Sequence, residues 1–342
     1  MFEMISRNIL ITGGSGYVGS SLCTKLLIDN KTNILNYDIS LFGDDHLPKN
    51  DKYKYLKSDL RNVEDFKNAI KENNIDTVLH LACISNDPTF ELKSNISKII
   101  NYDCFEDLVK ISKENKVKKF IYASTCSVYG VSSSPDVTEE HPLVPMTDYN
   151  KYKALCEPIL QKYLDNNFHG VIIRPATVCG YSEKMRFDLT VNILTNFAFN
   201  KGFIKVFGGE QTRPNIHIDD MCKLYTQLFA TDFKNINGEI FNAGHENLKV
   251  IDIAKKIQKI MKEKFDRDID LKIEHSDDKR SYQINSDKIK KILNFKFSKN
   301  VEDAINDLLK NFINGKLVNT FDPKWQNIQV LKNNLDLLSY SK

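Results

Sequence analysis

The 342-residue sequence contains no segment that approaches the ~20 consecutive apolar residues of a membrane-spanning helix. A strand-like segment begins within ten residues of Met1, so the charged and apolar regions of a signal peptide have no room. Hydrophobic residues make up 41% of the chain and charged residues 27%, which is ordinary for a globular protein. These features predict a soluble protein with no membrane partner.

Cysteine pairs and blocks of like charge are also missing. The seven cysteines are odd in number, lie far apart and form no CxxC pair, which argues against a disulfide framework and a zinc knuckle. The 48 basic and 45 acidic residues leave a net charge of +3 with no like-charged block. We therefore expect reduced thiols, a cytoplasmic location and no nucleic-acid partner.

Strand-like and helix-like segments alternate through the first half of the chain. Strands are expected at "NILITGG", "TNILNYD", "YKYLKSD", "IDTVLHLA", "KFIYAS" and "GVIIRPA". Helices are expected after the first strand to about Asp29, over 63–71, over 92–114 and from about Asp148. Apolar strands that alternate with helices predict an α/β fold with a Rossmann-type, doubly wound parallel sheet.

Beyond Ala176 the alternation gives way to short mixed elements. Strands are expected at "FIKVF", "NIHI" and "EIFNAG", and helices near 189–200, from 220, over 250–264 and over 299–313. We expect a first domain over 1–175 and a smaller mixed domain over 176–320 that is partly interleaved with it. Residues 321–342 are expected to form a C-terminal surface extension.

The stretch "ILITGGSGYVGSSL" places Gly13, Gly16 and Gly19 where a strand turns into a helix. In this context glycines allow a tight turn and a close approach of the backbone to a pyrophosphate at the helix N-terminus, although a turn without a ligand is the alternative. Asp38 ends the second strand, where a carboxylate accepts hydrogen bonds from an adenosine ribose and repels a 2′-phosphate. The pattern predicts NAD rather than NADP. Asp59, after the third strand, is either an adenine contact or a helix N-cap.

The segment "TDYNKYK" contains Tyr149 and Lys153, which are four residues apart and share one face of a helix. Tyr53 and Lys57 have the same spacing, but they lie in a predicted strand and are too far apart for the same contact. Only the first pair combines a helix with a preceding strand end that carries Ser and Thr, in "YASTCSVYG". The pair is a candidate for proton transfer.

Taken in order, "TGGSGYVG", Asp38, "HLA", Asn101, "STCSVYG", "YNKYK" and "RPATVCG" resemble the extended short-chain dehydrogenase/reductase family. The resemblance is to its NAD-dependent nucleotide-sugar epimerases and dehydratases. It also covers "GGEQTRPNIHIDD" and "DDKRSYQINSDK", with Arg213 expected at the substrate diphosphate and Asp278 and Arg280 in the late DxR segment. It implies NAD as cofactor and a nucleotide sugar, used in polysaccharide biosynthesis, as substrate.

The resemblance also implies a role for each matching residue. Thr125 would supply the catalytic hydroxyl, Tyr149 the acid/base, and Lys153 the contact to the nicotinamide ribose. The residues expected to bind the cofactor are Gly13, Gly16, Tyr17, Val18, Gly19, Asp38, Asp59, Leu60, Leu81, Ala82, Tyr149 and Lys153. The residues expected to bind the substrate are Thr125, Thr177, Arg213 and Arg280, with Thr177 at a position where many relatives have asparagine.

The Asp and Glu that follow the threonine in the 4,6-dehydratases of the family are replaced here by Cys126 and Ser127. Cys126 is expected to line the active site without acting as a nucleophile. We therefore expect a nucleotide-sugar 4-epimerase and not a dehydratase. The alternative is a C4 dehydrogenase or ketoreductase, since "ISNDPT" and "EKMRFDLTVN" resemble a subgroup that includes C4 dehydrogenases of nucleotide-linked heptoses. A non-catalytic dinucleotide sensor is a further alternative, against which the retained threonine, tyrosine and lysine argue.

By resemblance, helices over 92–114 and 149–166 would form a homodimer interface.

Overall fold

The computed structural model describes residues 7–28, 31–276 and 281–338. Its strands are β1 (Arg7–Thr12), β2 (Thr32–Asp38), β3 (Tyr53–Lys57), β4 (Thr77–His80), β5 (Lys119–Ala123), β6 (His169–Pro175), β7 (Thr177–Cys179), β8 (Phe203–Phe207), β9 (Thr212–His217), β10 (Ile240–Ala243), β11 (Glu246–Lys249) and β12 (Asp270–Glu274). Its helices are α1 (Tyr17–Leu26), α2 (Val63–Glu72), α3 (Asp87–Glu91), α4 (Ser94–Lys98), α5 (Phe105–Glu114), α6 (Asp148–Tyr163), α7 (Thr190–Lys201), α8 (Ile218–Ala230), α9 (Val250–Phe265), α10 (Asp287–Leu293), α11 (Val301–Ile313), α12 (Asn327–Asn333) and α13 (Leu335–Leu338).

Seven parallel strands form the central sheet, in the order β10-β6-β5-β4-β1-β2-β3. After β1 the chain builds outward through β2 and β3, and β4 then returns to the other side of β1. The strand order therefore reverses between β1 and β4, and in such sheets the ligand cleft opens beyond the carboxyl ends of the strands at this point. The predicted Rossmann-type fold is confirmed.

Helices cover both faces of this sheet, because alternate residues of each strand point to opposite sides. Leu10 of β1 packs on one face with Phe66 of α2 and Phe105 of α5. Ile9 and Ile11 belong to the cluster on the other face, which includes Leu22 of α1 and Leu224 of α8. The strands are thus apolar on both sides, which explains why they read as continuous apolar runs in the sequence.

The strand predicted at "EIFNAG" belongs to the central sheet and not to the smaller part of the fold. It forms β10, which pairs in parallel with β6 at the sheet edge and places Ile240 opposite Ile172. The other strands after position 176 form two small sheets, β11-β9-β7 and β12-β8. The second half of the chain therefore contributes to both parts of the structure.

The single helix predicted over 92–114 is interrupted. α3 and α4 have five residues each and are separated by Leu92 and Lys93, of which Lys93 has a φ of −147°. A π-helical turn over Ile99–Asp103 precedes α5. Within that turn, Asn101 Oδ1 accepts a hydrogen bond from Ile84 N at 2.8 Å and Asn101 Nδ2 donates to Ile84 O at 3.0 Å. The turn thereby holds the loop after β4, a tertiary contact that periodicity does not reveal.

Residues 321–338 do not form the predicted surface extension. Leu331 and Leu338 are buried and pack against Ile84 and Ile100 in a separate apolar cluster. Most apolar residues of this segment lie in the two short helices α12 and α13. Helices this short show no clear periodicity, so the sequence does not reveal the surface on which they pack.

The helix that carries Tyr149 and Lys153 is α6, which runs as one helix through Pro158. The proline removes one backbone donor but lies beyond the pair, so the spacing of Tyr149 and Lys153 is that of an α-helix. Among the described helices, none has the length and apolar character needed to cross a bilayer.

Candidate active site

A cavity of about 930 Å³ opens at the carboxyl ends of the central strands, lined by residues that follow β1, β2, β3, β4, β5 and β6. Every residue with a predicted catalytic or ligand-binding role that lies within the described part of the chain lines this cavity. These residues are Gly13, Gly16, Tyr17, Val18, Gly19, Asp38, Asp59, Leu60, Leu81, Ala82, Thr125, Tyr149, Lys153, Thr177 and Arg213. Asp278 and Arg280 lie outside the described residues.

The glycine turn between β1 and α1 is too tight for side chains. Gly13 has a φ of +74°, and a Cβ there would lie 2.7 Å from the Ala82 backbone. A Cβ on Gly19 would lie 2.4 Å from the Gly13 carbonyl oxygen. Gly16 is the N-cap of α1, makes no side-chain capping bond and lines the cavity with Tyr17. An uncapped helix N-terminus at a cavity wall fits a bound diphosphate.

Asp38 is 9% exposed and faces the same cavity from the end of β2. Its Oδ2 accepts a hydrogen bond from Ser15 N at 3.0 Å and its Oδ1 accepts one from Ser40 N at 2.8 Å. Burial raises the pKa of Asp38, while these N–H donors and His46 oppose the rise. Each carboxylate oxygen keeps a further lone pair for a ribose hydroxyl, so the site fits an adenosine with free 2′- and 3′-hydroxyls.

Asp59 is not a helix N-cap, because the N-cap of α2 is Asn62, whose side chain accepts from Asp65 N. Asp59 is instead ion-paired with Arg61, whose Nη2 lies 2.5 Å from Asp59 Oδ2 and whose Nε lies 3.0 Å from Asp59 Oδ1. The Arg61 side chain is only 8% exposed. Asp59 therefore lines the cavity as one half of an ion pair.

Lys153 is 3% exposed, and its Nζ donates a hydrogen bond to the Ala123 carbonyl oxygen at 2.7 Å. Tyr149 lies one helical turn earlier on α6 and lines the cavity beside Thr125. Burial raises the pKa of Tyr149 well above its ordinary value of 10, the Cys83 thiol adds to the rise and the Arg186 guanidinium opposes it. A phenolate at Tyr149 therefore needs additional positive charge nearby.

Comparison with known proteins assigns this arrangement to a family. Residues 9–244 match the profile of the NAD-dependent epimerase/dehydratase family. The chain belongs to this family. It is therefore an NAD-dependent enzyme, as the resemblance of its motifs predicts.

The relatives of the enzyme include both dehydratases and epimerases. It is 27% identical over 269 residues to human dTDP-D-glucose 4,6-dehydratase, with 75% of each chain covered. It is 26% identical over 248 residues to a putative UDP-glucose 4-epimerase of Methanocaldococcus jannaschii, with 69% of this chain and 76% of that protein covered. The crystal structure of UDP-glucuronic acid 4-epimerase from Bacillus cereus, with UDP-glucuronic acid and NAD, has a TM-score of 0.79 at 25% identity and covers 91% of this chain and 100% of its own.

The two residues after Thr125 bring no carboxylate into the cavity. Cys126 is fully buried, does not line the cavity, and donates its thiol to the Arg174 carbonyl oxygen at 2.8 Å. Ser127 does line the cavity, lies 2.8 Å from Thr125 Oγ1, and donates to Asn150 Oδ1 at 2.6 Å. The expected place of Cys126 in the active site is therefore wrong, and burial raises the pKa of its thiol.

The structure also shows a polar cluster near Tyr149 that the sequence did not predict, formed by Asn86, Arg186 and Asp188. Arg186 and Asp188 form a two-point ion pair, with Nη2–Oδ2 at 2.8 Å and Nε–Oδ1 at 3.1 Å. Asn86 Nδ2 donates to the same Asp188 Oδ2 at 2.7 Å, and all three residues line the cavity. The segments "ISNDPT" and "EKMRFDLTVN" are thus in contact, although no signal in either segment predicts that pairing.

Proposed function

We propose that this enzyme is a nucleotide-sugar 4-epimerase that uses NAD and returns it to its starting state in each cycle. One observation carries the proposal. Thr125, Tyr149 and Lys153 line the same cavity as the glycine turn and Asp38, while the positions that carry acid and base in the dehydratases hold a buried thiol and a serine hydroxyl.

Tyr149 is the proton-transfer group in this proposal. When bound, NAD would supply a hydride acceptor at the sugar C4 and a positive charge in the cavity. That charge and the Arg186 guanidinium favour the phenolate against the effect of burial. Tyr149 then removes the proton of the C4 hydroxyl and later returns it, while Thr125 forms a hydrogen bond to the same sugar oxygen.

Water elimination needs a base for the C5 proton and an acid for the leaving C6 hydroxyl. The carboxylates that line the cavity near Tyr149 are Asp87 and Asp188. Burial alone would raise the pKa of Asp188, but the paired Arg186 guanidinium keeps it below its ordinary value. Asp188 therefore has no proton to donate at neutral pH, and the same low pKa and ion pair make its carboxylate a weak base. Asp87 accepts a hydrogen bond from Thr147 Oγ1 at 2.5 Å and could replace only one of the two groups.

The substrate proposed is a sugar linked to a nucleoside diphosphate. The related epimerase from Bacillus cereus binds such a compound, and the cavity extends from Tyr149 to Thr177 and Arg213 in the smaller part of the fold. A guanidinium is suited to a diphosphate because it can donate two parallel hydrogen bonds. We propose Thr177 and Arg213 as contacts of the substrate phosphates.

A C4 dehydrogenase or ketoreductase is the second candidate. It is favoured by the contact of Asn86 with Asp188, which joins the two segments that resemble heptose C4 dehydrogenases. Both reactions use the same Tyr149 and Lys153, so the catalytic residues do not distinguish them.

Mass spectrometry of the products separates these functions. The purified enzyme is incubated with UDP-, GDP- and dTDP-linked hexoses and heptoses, and the products are analysed for mass and C4 configuration. Unchanged mass with inverted C4 supports the epimerase, whereas a stable product that has lost two hydrogens supports the dehydrogenase. Efficient loss of water that depends on Tyr149 would overturn both.

A further inference from the structure

We propose that the C-terminal segment, defined as residues 320–338, is a wall of the NAD site that keeps the cofactor bound between turnovers. The segment lies beyond the end of the matched family profile at residue 244. Asn327, Ile328 and Leu338 line the cavity directly. The inference rests on the proposed function only in that NAD is regenerated in place.

The end of the segment is tied to the adenosine side of the cavity. Arg61 holds Asp59 through Nε and Nη2, and its Nη1 donates to the Leu338 carbonyl oxygen at 2.7 Å. Asp59 lines the cavity together with Asp38, the residue that fits the adenosine ribose. One nearly buried guanidinium therefore joins the cofactor site to the C-terminal segment.

The middle of the segment packs on the loop after β4. Leu331 is fully buried and Leu338 is 1% exposed, and both contact the cluster of Ile84 and Ile100. Asn327 Nδ2 also donates to Ser85 Oγ at 3.2 Å. Because this loop also lines the cavity and contacts the segment, the loop and the segment form one continuous wall.

The start of the segment is fixed to the sugar side. Phe187 N donates to the Trp325 carbonyl oxygen at 3.0 Å, and Lys184 Nζ donates to the Lys324 carbonyl oxygen at 3.2 Å. Phe187 lies between Arg186 and Asp188, which face the cavity. The segment thus contacts both ends of the site, and release of NAD past it requires these contacts to break.

An exchange experiment tests the wall without any sugar turnover. Wild-type enzyme and a chain that ends at Asn334 are saturated with isotopically labelled NAD, mixed with excess unlabelled NAD, and desalted at intervals. We expect the shortened chain, which lacks Leu338, to lose bound label about tenfold faster or more, because an ionic hydrogen bond and buried apolar contacts are lost. Val318→Ala, at a 56% exposed position just before the segment, is the control and should exchange like wild type.

Leu338→Ala in the full-length chain removes the buried side chain but keeps the carbonyl oxygen that Arg61 binds. This variant tests the inference if the shortened chain does not fold. It should also accelerate the loss of label, with an unchanged circular dichroism spectrum. Equal rates for wild type, the shortened chain and Leu338→Ala, or complete exchange of wild type within the first desalting step, would overturn the inference. Failure of the epimerase assay would not affect this readout, and equal exchange rates would leave the epimerase proposal standing.

Discussion

Ser127 and Asn150 form a partly buried hydrogen bond of 2.6 Å beside the Thr125 hydroxyl. Ser127 donates to Asn150 Oδ1, while Asn150 Nδ2 has no hydrogen-bond partner among the described residues. Rotation of the amide by 180° would give that group a partner, because Nδ2 would then donate to Ser127 and Ser127 to Thr125. In that arrangement the Thr125 proton is free for the sugar oxygen.

This relationship predicts that Ser127→Ala lowers kcat by about tenfold, the effect of losing one orienting hydrogen bond worth about 1.4 kcal/mol. KM for the sugar nucleotide should change little, because the serine hydroxyl bonds to protein groups. Ser127→Thr, which keeps the hydroxyl, is the matched control. Equal kcat for Ser127→Ala and wild type would show that Thr125 needs no such partner.

Tyr149→Phe should lower kcat by about 10²-fold or more, because it removes the oxygen that transfers the proton and little volume. Binding of NAD, measured by calorimetry, should remain near that of wild type. Tyr152→Phe is the matched control, because Tyr152 lies on the same helix and does not line the cavity. Its ring stacks on that of Phe90, with 5.8 Å between the ring centroids. Near-normal turnover by Tyr149→Phe would assign the proton transfer to another group.

Asp38 should make the enzyme prefer NAD over NADP, because its carboxylate repels a 2′-phosphate. Dissociation constants for both cofactors, measured on wild type and Asp38→Asn, check this prediction. The variant should bind NADP more tightly than wild type does, since the like-charge repulsion is gone. A wild-type protein that binds NADP as tightly as NAD would contradict the assignment of Asp38.

His80 should make the protein less stable in acid. Burial, with a smaller effect of Lys153, lowers the pKa of His80 from 6.5 to about 3, so protonation favours the unfolded chain. The stabilisation is complete above about pH 6.5 and is lost as the pH falls towards about 3. The free energy of unfolding, measured with urea at several pH values, should depend less on pH for His80→Gln than for wild type. The difference in that dependence should reach up to about 1.4 kcal/mol per pH unit in this window.

We predict a homodimer formed through α6 and the helices before it, where Ile99 is 40% and Leu155 is 38% exposed. A charged residue at position 155 should separate the subunits, because the dimer interface would bury the charge without an oppositely charged partner. Light scattering should give a dimer for wild type and for Ile313→Glu, at a 59% exposed position on α11, and a monomer for Leu155→Glu. A wild-type mass near 39.4 kDa would contradict the prediction.

The sequence by itself determined the parallel sheet, the glycine turn, the position of Asp38 and the Tyr149–Lys153 pair. Each of these depends on residues that are close in the chain or on strand ends that a parallel sheet brings to one edge. Such local patterns predict structure because the periodicity of a helix or strand decides which side chains share a face.

Only the tertiary structure decided the packing of the C-terminal segment, the place of β10 and the hydrogen-bond partners of the candidate site residues. Arg61 and Leu338 are 277 residues apart, and Asn86 and Asp188 are 102 residues apart. Each of these contacts is a hydrogen bond between ordinary polar groups, which leaves no periodic signal in the sequence. Their formation depends on how separate elements pack, and that packing is a property of the whole chain.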